Sequence, residues 1–170
     1  MKKFELTTDT KIRFGKKLFR IKALCSFKDV KKGDLGGYVE KEENLLNEVS
    51  GDAWVYGNAE VSGDARVSGN AEVYGNAEVS GDARVYGNAR VYGNAWVSKI
   101  THILTVSYVG SRFGTTTFMK DKSGGIIVVC GCFEGTVDEF ENAVKETHKD
   151  SIYEKQYQLA IELAKISIRD

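Results

Sequence analysis

Proline is absent from the 170 residues, cysteine occurs three times and histidine twice. The lack of proline suits a chain dominated by β-ladders, because a ladder uses the backbone N–H groups of its strands. An odd number of cysteines, with no export signal in the sequence, argues against a disulfide framework and predicts a cytoplasmic protein. The formal net charge is zero, so overall charge favours no particular partner. No apolar run is long enough to span a membrane, and no membrane partner is expected.

What the sequence does contain is a hexapeptide repeat. Eight copies of Gly-[Asn/Asp]-Ala-x-Val-[Tyr/Ser] follow one another from Gly51 to Ser98. Ala-x-Val alternates apolar and variable residues as a strand does, and Gly-Asn or Gly-Asp forms the turn. Tyr56, Tyr74 and Tyr92 recur at intervals of 18 residues, so three hexapeptides make one turn of a triangular coil. The pattern predicts a parallel β-helix of about three coils, with the valines pointing inward.

The repeat resembles the hexapeptide of left-handed parallel β-helices, in which a small residue follows an aliphatic one by four positions. This resemblance implies left-handed coils. We expect residues 1–50 to form an N-terminal β cap, residues 51–110 the β-helix, and residues 111–170 a small C-terminal α+β unit. The aliphatic register persists weakly as far as Val109, which is why the β-helix is predicted to extend to residue 110. Capping boxes at Thr136–Glu139 and Ser151–Glu154 predict two helices at the end of the chain.

The flanks of the repeat carry a closer resemblance. The segments FELTTDTKIRFGKKLFRIKAL, GDLGGYVEKEENL, GSRFGTTTF and VVCGCFEGTVDEFENAVKETH are similar to those of phage and prophage proteins that carry the hexapeptide β-helix. Most members of that group have no assigned function, so the resemblance implies no reaction. A phage origin would imply action in the host cytoplasm. It also makes counter-defence, including the capture of host nucleotide signals, a function to consider.

The most suggestive local site is the segment from Gly110 to Thr117. Its glycines permit close approach of a ligand to the backbone, Arg112 can bind a phosphate through two donors, and Ser111, Thr115 and Thr116 supply hydroxyls. The segment lies where the β-helix is predicted to end, and such a junction is a natural pocket. A turn stabilised by hydroxyl–backbone bonds is an equally good interpretation.

A second candidate site is the basic segment near the N-terminus. Nine Lys and Arg residues and one acidic residue lie between Lys11 and Lys32. The segment could contact a nucleic acid or another polyanion, although a solvated cap strand is the favoured interpretation. Arg20 and Lys22 are the residues of this segment that we would add to an anion site.

The outward residues of the repeat predict three unlike faces. One is aromatic, one is acidic and one is basic, and an aromatic stripe on such a face usually marks an interface. Contact between the acidic face of one subunit and the basic face of the next would close around a threefold axis, so a homotrimer is favoured. A charge balance within one subunit is the alternative. The predicted interface residues are Trp54, Tyr56, Tyr74, Tyr92, Arg66, Arg84, Glu60 and Glu78.

Enzymatic chemistry is weakly supported. Acyltransferases that resemble this repeat use a catalytic histidine, but His102 is expected to be a surface residue on a degraded coil. Cys130 and Cys132 lack a second close pair of ligands, so they predict buried thiols and no metal site. We expect no catalytic residue and no cofactor.

The favoured function is therefore non-enzymatic binding of a small phosphorylated ligand, such as a nucleotide signal of the host. A protein-binding inhibitor or an oligomerisation module that uses the faces of the β-helix is the alternative, with a host protein as its partner. Acyl transfer is a third and less favoured alternative.

Overall fold

The computed structural model describes residues 2–46 and 51–169. It contains fifteen strands, two single turns of 3-10 helix (Glu42–Asn44 and Ile100–His102) and two α-helices in those ranges. The strands are β1 (Phe4–Arg13), β2 (Lys16–Ala23), β3 (Leu35–Val39), β4 (Trp54–Val55), β5 (Glu60–Val61), β6 (Arg66–Val67), β7 (Glu72–Val73), β8 (Glu78–Val79), β9 (Arg84–Val85), β10 (Arg90–Val91), β11 (Trp96–Val97), β12 (Ile103–Val109), β13 (Gly114–Lys120), β14 (Ile126–Cys130) and β15 (Phe133–Thr136). The helices are α1 (Val137–His148) and α2 (Ile152–Ser167).

The repeats form a β-solenoid of about three coils, as the period of 18 predicts. The first face contains β4, β7 and β10, the second β5, β8 and β11, and the third β6 and β9, with parallel pairing on each face. The valine and alanine of every hexapeptide are buried. The glycine after each of the first seven hexapeptides has a positive φ, and this left-handed conformation forms the corner.

The solenoid ladder begins before the first hexapeptide. Strand β3 pairs in parallel with β5, and Leu45 forms a parallel bridge with Val67. Strand β3 begins at Leu35, within a segment rich in glycine. Glycine is required there, because a Cβ at Gly37 would lie 2.6 Å from the Ala59 carbonyl oxygen. The hexapeptide spacing also puts Val49 in the aliphatic register of the repeat, and this residue lies outside the described residues.

The coil ends earlier than the sequence pattern predicts. Residues Ile100–His102 form a 3-10 turn, and β12 pairs in antiparallel fashion with β13 instead of continuing the ladder. The resulting sheet has the order β12-β13-β14-β15. Met119 and Val129 on one face of this sheet pack against the solenoid core, whereas Phe118 and Val128 on the other face pack against the helices. The sheet is therefore a middle layer between the solenoid and the two helices.

Both predicted helices begin at the predicted N-cap residues, but only α1 has the reciprocal capping box, because the Glu154 carboxylate of α2 accepts the N–H of Asp150 and not that of Ser151. The Thr136 hydroxyl accepts the backbone N–H of Glu139, and the Glu139 carboxylate accepts the backbone N–H of Thr136. Ser151 caps α2 by accepting the N–H of Glu154. Neither helix, among the described residues, is long and apolar enough to cross a membrane.

A long hairpin of β1 and β2 precedes the solenoid. The turn residues Phe14 and Gly15 both have positive φ, as a two-residue hairpin turn requires. The hairpin is tied to the second face by ion pairs from Lys11 to Glu60 and from Arg13 to Glu78. Strand β2 begins directly after this turn, at Lys16.

Candidate functional site

A cleft of about 310 Å³ lies between the β12–β13 turn, the β14–β15 turn and the two helices. We call it the C-terminal cleft. Aromatic and aliphatic side chains form much of its wall, and Arg112 supplies a positive charge. None of the described residues that line the cleft is acidic. The lining is Ser111, Arg112, Gly114, Cys130, Gly131, Cys132, Phe133, Phe140, Ala143, Val144, Thr147, His148 and Tyr157.

A short polar network lies in the wall of this cleft. The Thr116 hydroxyl donates to the Cys130 sulfur over 3.1 Å, and the Cys130 thiol is 3.7 Å from the Tyr157 hydroxyl. Burial raises the pKa of Tyr157, its bond to Cys130 raises it further, and the positive charge of Arg112 acts in the opposite direction. Tyr157 therefore stays a neutral hydroxyl that can donate or accept a hydrogen bond.

The loop that carries Arg112 is held against α2 by a glycine. The Gly110 N–H donates to the Gln156 side chain over 3.0 Å, and a Cβ at Gly110 would lie 1.9 Å from the Tyr157 hydroxyl. Phe113 has a φ of 50° although it is not glycine, and it is 69% exposed. Such strained backbone is costly and is concentrated at functional sites.

The predicted ligand-binding residues do not all lie together. Ser111 and Arg112 line the cleft, as expected. Thr116 lies below its surface, is fully buried and is bonded to Cys130. Thr115 is on the opposite face of β13, since side chains alternate along a strand, and its hydroxyl is bonded to Ser107. The prediction that both threonines reach one ligand is therefore wrong.

Arg20 and Lys22 are also absent from the cleft. Arg20 donates to the Gly36 carbonyl and contacts Asp9, and Lys22 is 3.8 Å from Glu5. Six of the nine basic residues in this segment form ion pairs, which leaves little free positive charge for a polyanion. These six are Lys11, Arg13, Lys16, Arg20, Lys22 and Lys28.

The cleft residues that the sequence did not indicate come from the β14–β15 turn and from the helices. Cys132 and Phe133 follow Gly131 in a tight turn, and His148 is the last residue of α1. These three residues lie 20 to 36 positions after Arg112, so no local pattern links them to it. The Cys-Gly-Cys segment was a recognisable signal, but without a second close pair of ligands it argued against a metal site and did not indicate a binding cleft.

A second and larger cavity, of about 360 Å³, lies between the hairpin tip and the second solenoid face. We call it the hairpin groove. Glu60 and Glu78 line it together with Arg13 and Lys16. Because its carboxylates already pair with Arg13, the groove offers no excess positive charge to an anion. The C-terminal cleft is the better candidate for a phosphorylated ligand.

The aromatic face is covered by the chain itself. Trp54 is 1% exposed and packs edge to face against Phe4 and Phe27, so it cannot form an intersubunit contact. The Tyr74 hydroxyl donates to Glu134 of β15 over 2.8 Å. The interface predicted for this face is thus an intramolecular one, in which Tyr56 and Tyr92 are also half-buried against the core.

The acidic residues of the second face are also paired within the chain. Glu60 and Glu78 pair with Lys11, Arg13 and Lys122 of the flanks, so they are not available to a neighbouring basic face. This removes the basis for the predicted head-to-tail trimer. Arg66 and Arg84 remain exposed on the third face, where Arg84 donates to backbone carbonyls at its own corner.

His102 is buried, with 1% exposure, and is not the surface residue that the sequence suggested. Its Nδ1 accepts the backbone N–H of Ser98. Burial lowers the pKa of His102, and the charge of Lys120 lowers it further. A buried ring used as a hydrogen-bond acceptor is poorly suited to acyl transfer.

Comparison with known proteins supports the repeat architecture. A family model described as the YdcK beta solenoid repeat matches residues 83–99, about a tenth of the chain. No curated protein matches. The chain is therefore similar to that repeat over one coil, and the match carries no ligand or reaction.

Proposed function

We propose that this is a non-enzymatic binding protein that holds a small organic anion, of nucleotide type, in the C-terminal cleft. The observation that supports the proposal is the lining itself. A positive Arg112 stands beside an apolar and aromatic wall, and no described lining residue is acidic. A phosphate would pair with the guanidinium, and a flat apolar body would rest against the wall.

The size of the cleft is consistent with this class of ligand. Its volume of about 310 Å³ is at the lower end of the range for small-molecule pockets, roughly 300–1,000 Å³. Ser111 and the Tyr157 hydroxyl provide the few polar groups that orient a ligand in such a pocket. The resemblance of the flanks to phage proteins extends the proposal to sequestration of a host nucleotide signal, as counter-defence.

Calorimetric titration with a panel of mononucleotides and cyclic nucleotides tests the proposal. We expect at least one to bind, and Arg112→Ala to weaken it by about tenfold to a hundredfold, the usual cost of a charged hydrogen-bond partner. Arg66→Ala, an exposed arginine on the solenoid, is the matched control and should bind normally. Absence of heat with every compound, or equal losses in both variants, would contradict the proposal.

A further inference from the structure

Helix α2 carries a second apolar stripe on the face that points away from the protein. Ile152, Leu159, Leu163 and Ile166 are 63%, 67%, 49% and 72% exposed, respectively. The opposite face of the same helix buries Tyr157, Ala160, Ile161 and Ala164 against the C-terminal sheet and α1. A helix that is apolar on both faces is normally covered on both.

The spacing of this stripe, which we call the outer seam, is that of a helix-packing surface. From Ile152 the apolar positions follow at seven, eleven and fourteen residues, with Gln156 at the intervening position four. Steps of three and four residues define the seam of a two-helix coiled coil. A seam of this kind is complementary to another helix with the same spacing.

The charges beside the outer seam identify the partner helix. Lys155 and Glu162 lie on one flank, two turns apart, and neither forms an ion pair with the described residues. On the inner flank, by contrast, Lys165 pairs with Glu141 of α1. In an antiparallel pair of α2 helices, Lys155 lies beside the partner subunit's Glu162, and the reciprocal contact forms at the other end.

We infer that the outer seam is the interface of a twofold dimer, in which α2 packs in antiparallel orientation against α2 of a second copy of this chain. The contact is isologous, so one surface patch serves both subunits. It uses none of the solenoid faces and does not depend on the ligand proposed for the C-terminal cleft.

Sedimentation velocity across a range of protein concentrations tests this inference. We expect the wild-type chain of 18.8 kDa to sediment as a dimer that dissociates on dilution. Leu159→Glu should weaken the dimer by at least about a hundredfold, because it places a charge at the centre of the apolar contact. The matched control is Ile12→Glu, since Ile12 is 79% exposed on the hairpin and should have no effect. Circular dichroism and a thermal melt check that both variants stay folded.

Charge exchange distinguishes this arrangement from other assemblies. Lys155→Glu or Glu162→Lys alone should raise the dimer dissociation constant by about fivefold to thirtyfold, because two symmetric pairs are lost. The double variant, carrying both changes, should return to within about twofold of the wild type. A wild-type monomer at all concentrations, a trimer, a dimer that survives Leu159→Glu, or a double variant weaker than either single one would overturn the inference.

Discussion

The two ends of the solenoid leave different backbone groups without a neighbouring coil, and each flank of the chain supplies partners for one end. Several backbone N–H groups donate to carbonyls of the following coil, as from Trp54 to Ala71 and from Glu60 to Ala77, although the paired strand residues also bond in the opposite direction. The first coil therefore has carbonyls with no preceding coil to donate to them. The last coil has N–H groups with no following coil to accept them.

The carbonyl end is closed by donors. The carbonyls of Ala53, Ala59 and Ala65 occupy the same position at the three corners. They accept, respectively, the Lys3 ammonium over 2.7 Å, the Tyr38 N–H over 2.9 Å and the Asn44 side-chain amide over 2.9 Å. Burial lowers the pKa of Lys3 to about 8, although the nearby charge of Asp52 acts in the opposite direction.

The N–H end is closed by acceptors from the C-terminal flank. The Thr117 hydroxyl accepts the N–H of Arg90 over 3.2 Å, and His102 Nδ1 accepts the N–H of Ser98 over 3.3 Å. The direction of these particular bonds thus determines whether the side chain that closes each position is a donor or an acceptor. A buried lysine and a buried histidine, which look anomalous alone, are both explained by it.

The largest effect is expected where the carbonyl end loses its charged donor. Lys3→Met should lower the free energy of unfolding by about 2–4 kcal/mol, because the carbonyls of both Gly51 and Ala53 lose a buried donor. Chemical denaturation measures the change. Lys2→Met is the control, since Lys2 is largely exposed and pairs with Glu42 at the surface, and it should cost about 0.5 kcal/mol or less. Similar losses in both variants would mean that the capping bonds contribute little.

This comparison also separates what the sequence predicts from what it does not. The inward Val and Ala residues, the three faces and the two helix caps follow from local patterns that repeat or that span four residues. The register shows that Trp54 points outward from the coil. It cannot show that Phe4 and Phe27, from a flank 27 to 50 residues away, will cover it.

The same limit applies to the candidate site. Ser111 and Arg112 were found because one loop contains both. Thr115 was misassigned because the alternation along β13 turns its side chain to the face opposite the cleft, and Thr116, on the cleft side of the strand, is buried against Cys130. Cys132, His148 and Tyr157 reach the cleft through the packing of the helices on the sheet, and no short-range pattern encodes that packing.

An intermediate effect is expected at the N–H end when the pH is lowered. The pKa of His102 is lower in the folded protein than in the unfolded chain, because burial disfavours its charged form. As the pH falls below the unfolded value of about 6.5, the unfolded chain binds a proton that the folded protein does not, so stability decreases. The contribution of this one histidine to the slope of the unfolding free energy against pH cannot exceed about 1.4 kcal/mol per pH unit. Denaturation at pH 7 and pH 5 should show this loss in the wild type and in the control His148→Gln, but a smaller loss in His102→Asn. Equal losses of unfolding free energy in all three proteins would contradict the role assigned to His102.

The smallest effect is expected from the neutral acceptor at the same end. Thr117→Val keeps the shape of a buried side chain but removes the oxygen that accepts the Arg90 N–H, at a cost of about 1 kcal/mol. Thr115→Val is matched to it, because Thr115 lies two residues earlier on the same face of β13 and its hydroxyl bonds to Ser107 near the surface. The control should change the free energy of unfolding by less than about half that amount. If Thr117→Val costs as much as Lys3→Met, the two ends are stabilised equally, and the difference in charge between their caps has no energetic consequence.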